Sequence, residues 1–146
     1  MKILLDTNIL LRWLEPENPD HILLVAILER LLAEQKELCY TSQNLGEFWN
    51  TLTRPIERNG FGLSPALADR RAHSIETRLT LLPDLPSIHT VWRQLLVKCE
   101  ISGVQVHDAR LAASMYVHGV KHILTFNARD FSRFDGIKAI APAQRS

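Results

Sequence analysis

Short apolar runs alternate with helical patterns along nearly the whole chain, and this alternation constrains the fold more than any other feature. The runs are continuously apolar, whereas a strand with one solvent-facing side alternates polar and apolar residues. Continuous apolar runs separated by helices are typical of a parallel sheet covered by helices on both faces. We therefore predict one α/β domain, without repeats or linkers, over residues 1–146.

The boundaries of the predicted elements follow from apolar spacing, capping residues, glycine and proline. Thr7 and Asn8 offer caps for the first helix, Ser42 is the predicted N-cap of the third, and Gly119 is a helix stop. Ser64 followed by Pro65 is typical of a helix start. The predicted strands are 2–5, 37–41, 78–82, 121–125 and 136–140, and the predicted helices are 9–14, 20–35, one from 42 that Pro55 closes, one from 64, 87–99 and 108–117, with a turn or short helix at 127–131.

Composition excludes some classes of protein and leaves others open. The chain is 46% hydrophobic and 23% charged, which is ordinary for a globular domain, and its net charge of +1 does not identify a partner. Cys39 and Cys99 lack zinc-ligand spacing, so we expect reduced, packed thiols. The N-terminus is too briefly apolar for a signal peptide, and no run reaches the roughly 18 apolar residues of a membrane span. We expect a soluble, cytoplasmic protein without a membrane partner.

Acidic, amide and hydroxyl side chains lie near the predicted carboxyl ends of the strands. In open parallel sheets functional groups gather outside these ends, so several of the acids are expected to meet at one edge. The candidates are Asp6 after the first strand, Glu47 on the helix after the second, Asp108 at the start of the helix before the fourth, and Thr125, Asn127 and Asp130 after the fourth.

Helical spacing predicts different directions for the side chains of Asp108 and Glu47. Asp108 lies on the apolar face that carries Leu111 and Met115, so its carboxylate is directed along the buried side of its helix. Glu47 points about 150° away from the apolar stripe of its own helix. It either faces a cleft or is an exposed glutamate, and the sequence leaves both possibilities open.

A cluster of carboxylates needs compensation, because each close pair costs several kcal/mol at intermediate dielectric, to order of magnitude. Either some members are protonated or a divalent cation binds. Mg²⁺ and Mn²⁺ prefer carboxylate oxygens and can activate water for attack on a phosphodiester. Taken singly, the acids have ordinary explanations: Asp6 and Asp130 as turn or cap residues, and Asp108 as a complement to its helix dipole.

Three segments together resemble the motifs of PIN domains. The chain reads ILLDTN at 3–8, VHDARLAA at 106–113 and LTFNARDF at 124–131, with Glu47 between the first and second segments. Their order and spacing agree with that family along essentially the whole chain. The size of the chain most resembles VapC-type toxins, the ribonuclease halves of bacterial toxin–antitoxin pairs.

The resemblance implies a three-layer α/β/α sandwich with a central parallel sheet and Mg²⁺- or Mn²⁺-dependent endonucleolytic cleavage of RNA. It also implies an antitoxin partner and a homodimer. Asp6, Glu47 and Asp108 match the first three family acids and are the expected metal ligands and catalytic residues. Asn127, the fourth expected catalytic residue, stands where many relatives have Asp. Its amide still offers an oxygen to a metal or its water, but the missing charge puts a second metal in doubt. Asp130, three residues on, compensates as a further metal ligand if its turn points it inward. Asn8 and Thr125 are expected to orient the acids or their waters.

Two other functions share features with this sequence. A phosphatase of the haloacid dehalogenase type needs a second acid two residues after the first, where this chain has Asn8. A catalytically weak or inactive PIN-like binding module is the stronger alternative, because Asn127 removes one negative charge. Arginines near the motifs either contact RNA phosphates or are solvated surface charges; they are Arg12, Arg110, Arg129 and Arg133.

Overall fold

The computed structural model describes residues 1–142, in which strands and helices alternate; residues 143–146 of the predicted domain lie outside the described part. The strands are β1 (Lys2–Leu5), β2 (Glu37–Thr41), β3 (Thr80–Leu82), β4 (His122–Leu124) and β5 (Lys138–Ile140). The helices are α1 (Thr7–Trp13), α2 (His21–Ala33), α3 (Ser42–Thr53), α4 (Pro65–Arg78), α5 (Pro86–Lys98) and α6 (Gln105–His118), with 3₁₀ turns at Ile56–Arg58 and Ala128–Phe131.

The five strands form one sheet in the order β3-β2-β1-β4-β5, and every neighbouring pair is parallel. Leu5 pairs with Leu124 in register, so β1 and β4 end side by side. The strand order reverses between β1 and β4, which is where a crevice opens at the carboxyl ends of an open parallel sheet. The predicted parallel sheet is confirmed, and its reversal point lies between Asp6 and Thr125.

Alternate residues of the strands pack against two separate helical layers. In β1, Ile3 and Leu5 pack with α1, α2, α3 and α4, whereas Leu4 packs with α5 and α6. Successive strand side chains point to opposite faces, so a run that is apolar throughout buries both. The result is the three-layer α/β/α sandwich that the resemblance implied.

The predicted N-caps of α1 and α3 are wrong, because the capping residue lies one or two positions earlier in each case. Asp6, not Thr7 or Asn8, caps α1, because its carboxylate accepts a hydrogen bond from the backbone N–H of Thr7 at 2.8 Å. Thr41, not Ser42, caps α3, where it forms a capping box with Asn44. Thr41 is the last residue of β2 and Asp6 directly follows β1, so each strand leads into the next helix without a loop.

Several element boundaries also differ from the predictions. α6 begins at Gln105, so Asp108 lies in its first turn rather than opening it. α4 extends through Arg78, which shortens β3 to residues 80–82. β4 and β5 are shorter than predicted as well. The predicted start of α4 at Ser64–Pro65 and the stop at Gly119, with φ of 70°, are confirmed.

Three smaller features complete the fold. Cys39 is buried and Cys99 is half-buried, and both are free thiols, as expected. Ile22 and Leu32 of α2 leave 81% and 46% of their surface exposed, so this helix presents two large apolar side chains to solvent. Within residues 1–142, no helix combines the length and apolar character that crossing a membrane requires.

Candidate active site

Asp6 is fixed at the point where the strand order reverses. Its backbone N–H donates to the carbonyl oxygen of Leu124 at 3.0 Å, which extends the β1–β4 pairing by one residue. Its carboxylate accepts from the Thr125 hydroxyl at 2.6 Å and from the Thr7 N–H at 2.8 Å. With 8% of its surface exposed, Asp6 is a buried acid held in one orientation.

The surroundings of Asp6 raise the pKa of its carboxyl group. Burial is the largest cause, because the charged form loses water. The hydrogen bonds from Thr125 and Thr7 act in the opposite direction, and the charges of Glu47 and Asp130 raise the pKa further. The charge of Asp6 is therefore costly where it stands.

Glu47 faces the start of α1. Its Oε1 accepts a 2.7 Å hydrogen bond from the Thr7 hydroxyl, and that hydroxyl in turn accepts from the Asn44 amide at 3.2 Å. Gln43, one turn before Glu47 on α3, donates to Oε2 at 3.4 Å. Of the two orientations that helical spacing left open, the structure shows the one that faces the cleft, beside the residue that follows Asp6.

Asp108 lies half-buried in the first turn of α6 and responds to the other acids. Burial and then the charges of Asp6, Asp130 and Glu47 raise its pKa to about 6, while His107 lowers it. The pKa of Asp108 is thus raised by the charges of all three other candidate acids, although these acids come from three other parts of the chain.

The segment after β4 carries the remaining candidates. Thr125 is buried, and besides donating to Asp6 its hydroxyl accepts from the backbone N–H of Asn127 at 2.9 Å. Asn127 and Asp130 are both exposed. The Asn8 side chain accepts from the backbone N–H of Phe126 at 3.4 Å, so its contact is with this segment and not with an acid.

Asp6, Glu47, Asp108 and Asp130 form a group of carboxylates, which we call the acidic cluster, in which the charges of Glu47 and Asp130 act on both Asp6 and Asp108. None of its members forms an ion pair with a residue between 1 and 142. In that same part of the chain no three His, Cys, Asp or Glu side chains are arranged closely enough to hold a metal ion. Neighbouring acids therefore act on Asp6 and Asp108, although the side chains do not close around a single point.

The donor set fits a hard divalent cation in chemical terms. The cluster offers carboxylate oxygens alone, which suit Mg²⁺ and Mn²⁺, whereas zinc sites use Cys and His. Asp6 and Asp108 both carry a raised pKa caused in part by neighbouring acids. A cation placed among them would remove that repulsion.

Sequence reasoning missed three supporting residues. The sequence pattern offers Thr7 only as a cap, and its contact with Glu47 joins residues 40 positions apart. Asn44 carried a signal, because it stands three residues after Thr41, where a capping box places its side chain. Gln43 also carried one, since it precedes Glu47 by four residues and shares its helix face.

A comparison with protein families supplies the identification. The PIN domain family matches residues 3–137, which include every member of the acidic cluster. The chain belongs to the PIN domain family. PIN domains of this kind are nucleases and generally use divalent metal ions.

Solved structures share the fold of this PIN domain. VapBC2 from Rickettsia felis, bound to a promoter DNA fragment, has a TM-score of 0.73 at 16% identity, covering 97% of this chain and 98% of that one. DNA-bound VapBC from Salmonella typhimurium has a TM-score of 0.69 at 23% identity, with coverage of 97% and 98%. VapC20 from Mycobacterium tuberculosis, a sarcin-ricin loop cleaving toxin, has a TM-score of 0.64 at 19% identity, covering 93% of this chain and 98% of that one. No curated protein sequence matches.

Proposed function

We propose that this PIN domain is a Mg²⁺- or Mn²⁺-dependent endoribonuclease and the toxin of a toxin–antitoxin pair. The observation that carries the proposal is the acidic cluster at the reversal point of the sheet. Burial is the main cause of the raised pKa of Asp6 there, and the charges of Glu47 and Asp130, which are distant in the sequence, raise that pKa further. Keeping like charges together without a cationic partner costs free energy, which a bound divalent ion would offset.

Each residue of the cluster has a distinct part in the proposed site. Asp6, Glu47 and Asp108 would hold the ion, with Asp130 as a further acid and Asn127 offering a neutral amide oxygen. Thr125 and Thr7 fix the carboxylates of Asp6 and Glu47 through their hydroxyl groups. When bound, the ion supplies an activated water and stabilises charge on a phosphodiester oxygen during in-line displacement. The expected products carry a 5′ phosphate.

RNA as the substrate and a protein antitoxin as the partner are supported by the solved structures with this fold. One of them is a toxin that cleaves the sarcin-ricin loop, and others are complexes of the VapBC type. Exposed Arg129 and Arg133 flank Asp130 and are available to RNA phosphates. The outer face of α2, with exposed Ile22 and Leu32, is a candidate surface for the antitoxin or for a homodimer.

The proposal is tested with purified protein free of any partner. Structured and unstructured RNAs are incubated in Mn²⁺, in Mg²⁺ and with a chelator, and Asp6→Asn serves as the matched variant. We expect cleavage that requires the metal and is lost in Asp6→Asn. Metal-independent RNA binding without cleavage would contradict the proposal and favour the PIN-like binding module.

A further inference from the structure

Gln43 links two helices that each carry one member of the acidic cluster. Its Nε2 donates to the backbone carbonyl of His107 at 2.9 Å, across 64 positions of sequence, and lies 3.4 Å from Oε2 of Glu47. His107 immediately precedes Asp108. A single amide group therefore contacts Glu47 and the backbone next to Asp108.

This link passes over the carboxyl ends of the strands, because α3 and α6 lie on opposite faces of the sheet. α3 packs in the first core with Ile3 and Leu5, and α6 packs in the second core with Leu4. Within residues 1–142 no other side-chain hydrogen bond joins these two helices. The separation of Glu47 and Asp108 is thus set by the two cores and by Gln43.

The orientation of the Gln43 amide follows from its partners. Both groups that it meets are acceptors, so in the flipped orientation its oxygen would face two oxygens. In the orientation observed, Oε1 is hidden from solvent and has no hydrogen-bond partner in the part of the chain that the structure describes. A hidden acceptor without a partner lowers stability, so stability alone does not favour glutamine here.

We propose that Gln43 is a positioning residue, which holds the first turn of α6 against α3 so that Glu47 and Asp108 can bind one cation. This inference rests on the proposed function. It assigns no contact between Gln43 and RNA or metal. Removing a residue that orients a metal ligand without itself binding the metal typically lowers metal affinity by about 10- to 100-fold.

Gln43→Met tests the inference, because methionine keeps the length and helix propensity of glutamine but cannot donate a hydrogen bond. Gln94→Met, at an exposed position of α5, is the matched control. Mn²⁺ binding is measured by isothermal titration calorimetry without RNA, and thermal unfolding is measured without metal. We expect Gln43→Met to bind Mn²⁺ at least about 10-fold more weakly with an unchanged or higher Tm, and Gln94→Met to match the original protein.

Equal Mn²⁺ affinity in Gln43→Met and the original protein would overturn the inference, and so would a loss of affinity that merely follows a lower Tm. Amide hydrogen exchange in metal-free protein separates this outcome from failure of the proposed function. The first turn of α6 should exchange faster in Gln43→Met, while the amides near Met115 stay unchanged. If the original protein bound no Mn²⁺, the proposed function would fall, and unchanged exchange in the first turn would overturn the link as well.

Discussion

The Thr125 hydroxyl donates a 2.6 Å hydrogen bond to Oδ2 of Asp6, joining residues 119 positions apart in the sequence. Both residues directly follow strands that pair side by side, β1 and β4. The bond is buried and opposes the effect of burial on the pKa of Asp6. It thus helps to keep an acid ionisable in a place where desolvation favours the protonated form.

Thr125→Val should raise the pKa of Asp6 further and lower the stability of the folded protein. The substitution preserves shape but removes the hydroxyl that stabilises the carboxylate, so we expect a loss of about 2 kcal/mol in the free energy of unfolding at pH 7. Carbon-13 NMR titration of the Asp6 carboxyl and urea unfolding measure the two effects. Thr90→Val, on the exposed surface of α5, is the control. A Thr125→Val protein with an unchanged Asp6 titration would show that the bond does not act on the acid.

Asp108→Asn should stabilise the metal-free protein at neutral pH. Folding raises the pKa of Asp108 from its ordinary value of 3.8 to about 6, so the folded protein binds this proton more tightly than the unfolded chain does. The resulting stabilisation is complete below pH 3.8 and is lost as the pH rises through about 6. The half-buried position reduces the effect through solvent screening, so we expect a gain of about 1 kcal/mol at pH 7 and little difference at pH 3. Urea unfolding at several pH values measures it. A gain that is equal at pH 3 and pH 7 would contradict the assigned cause.

The sheet could be predicted from the sequence because its physical signal is local. Runs such as 3–5 and 38–40 are apolar at every position, and only burial on both faces makes such runs favourable. The helix starts were less accessible. The sequence pattern places Thr41 at the end of a strand and leaves Asp6 as either a turn or a cap residue. Each caps the helix that follows, which φ and ψ and side-chain contacts decide.

The candidate site was predictable in its acids and not in their supports. Asp6, Glu47 and Asp108 follow from strand ends and from the family resemblance, but the orientation of Glu47 depends on Thr7, which lies on a different helix. The partner of Asn8 is likewise a long-range backbone group, that of Phe126. Such contacts depend on how the layers pack, which no local pattern encodes.

Asn127→Asp should increase affinity for divalent cations. The side chain is exposed beside the acidic cluster, and its backbone is held by Thr125. An added carboxylate strengthens attraction for a cation by Coulomb interaction, so we expect Mn²⁺ affinity to rise several-fold, to order of magnitude. Calorimetry measures the affinity and the number of ions bound. Asn50→Asp, at an exposed position of α3, controls for net charge, and equal gains in both variants would refute a local role for position 127.

Arg129→Gln should weaken RNA binding and reduce its salt dependence. Arg129 is exposed next to Asp130, whereas Arg12 already pairs with Asp20 at 3.0 Å and lies over the Phe126 ring. Loss of one phosphate contact to single-stranded RNA should lower the slope of log K against log salt by about 0.7. Fluorescence anisotropy with Asp6→Asn protein measures this without cleavage. Arg30→Gln, in the last turn of α2, should leave the slope unchanged, and an equal change in both would indicate a general charge effect.

The central claim is that Asp6, Glu47 and Asp108 together bind one hard cation. A crystal structure of the protein grown with Mn²⁺, analysed by anomalous scattering, tests it most directly. We expect one ion with carboxylate oxygens of Asp6 and Asp108 at about 2 Å and with Glu47 bound directly or through water. An acidic cluster without an anomalous peak at saturating Mn²⁺, or an ion bound elsewhere on the protein, would contradict the account.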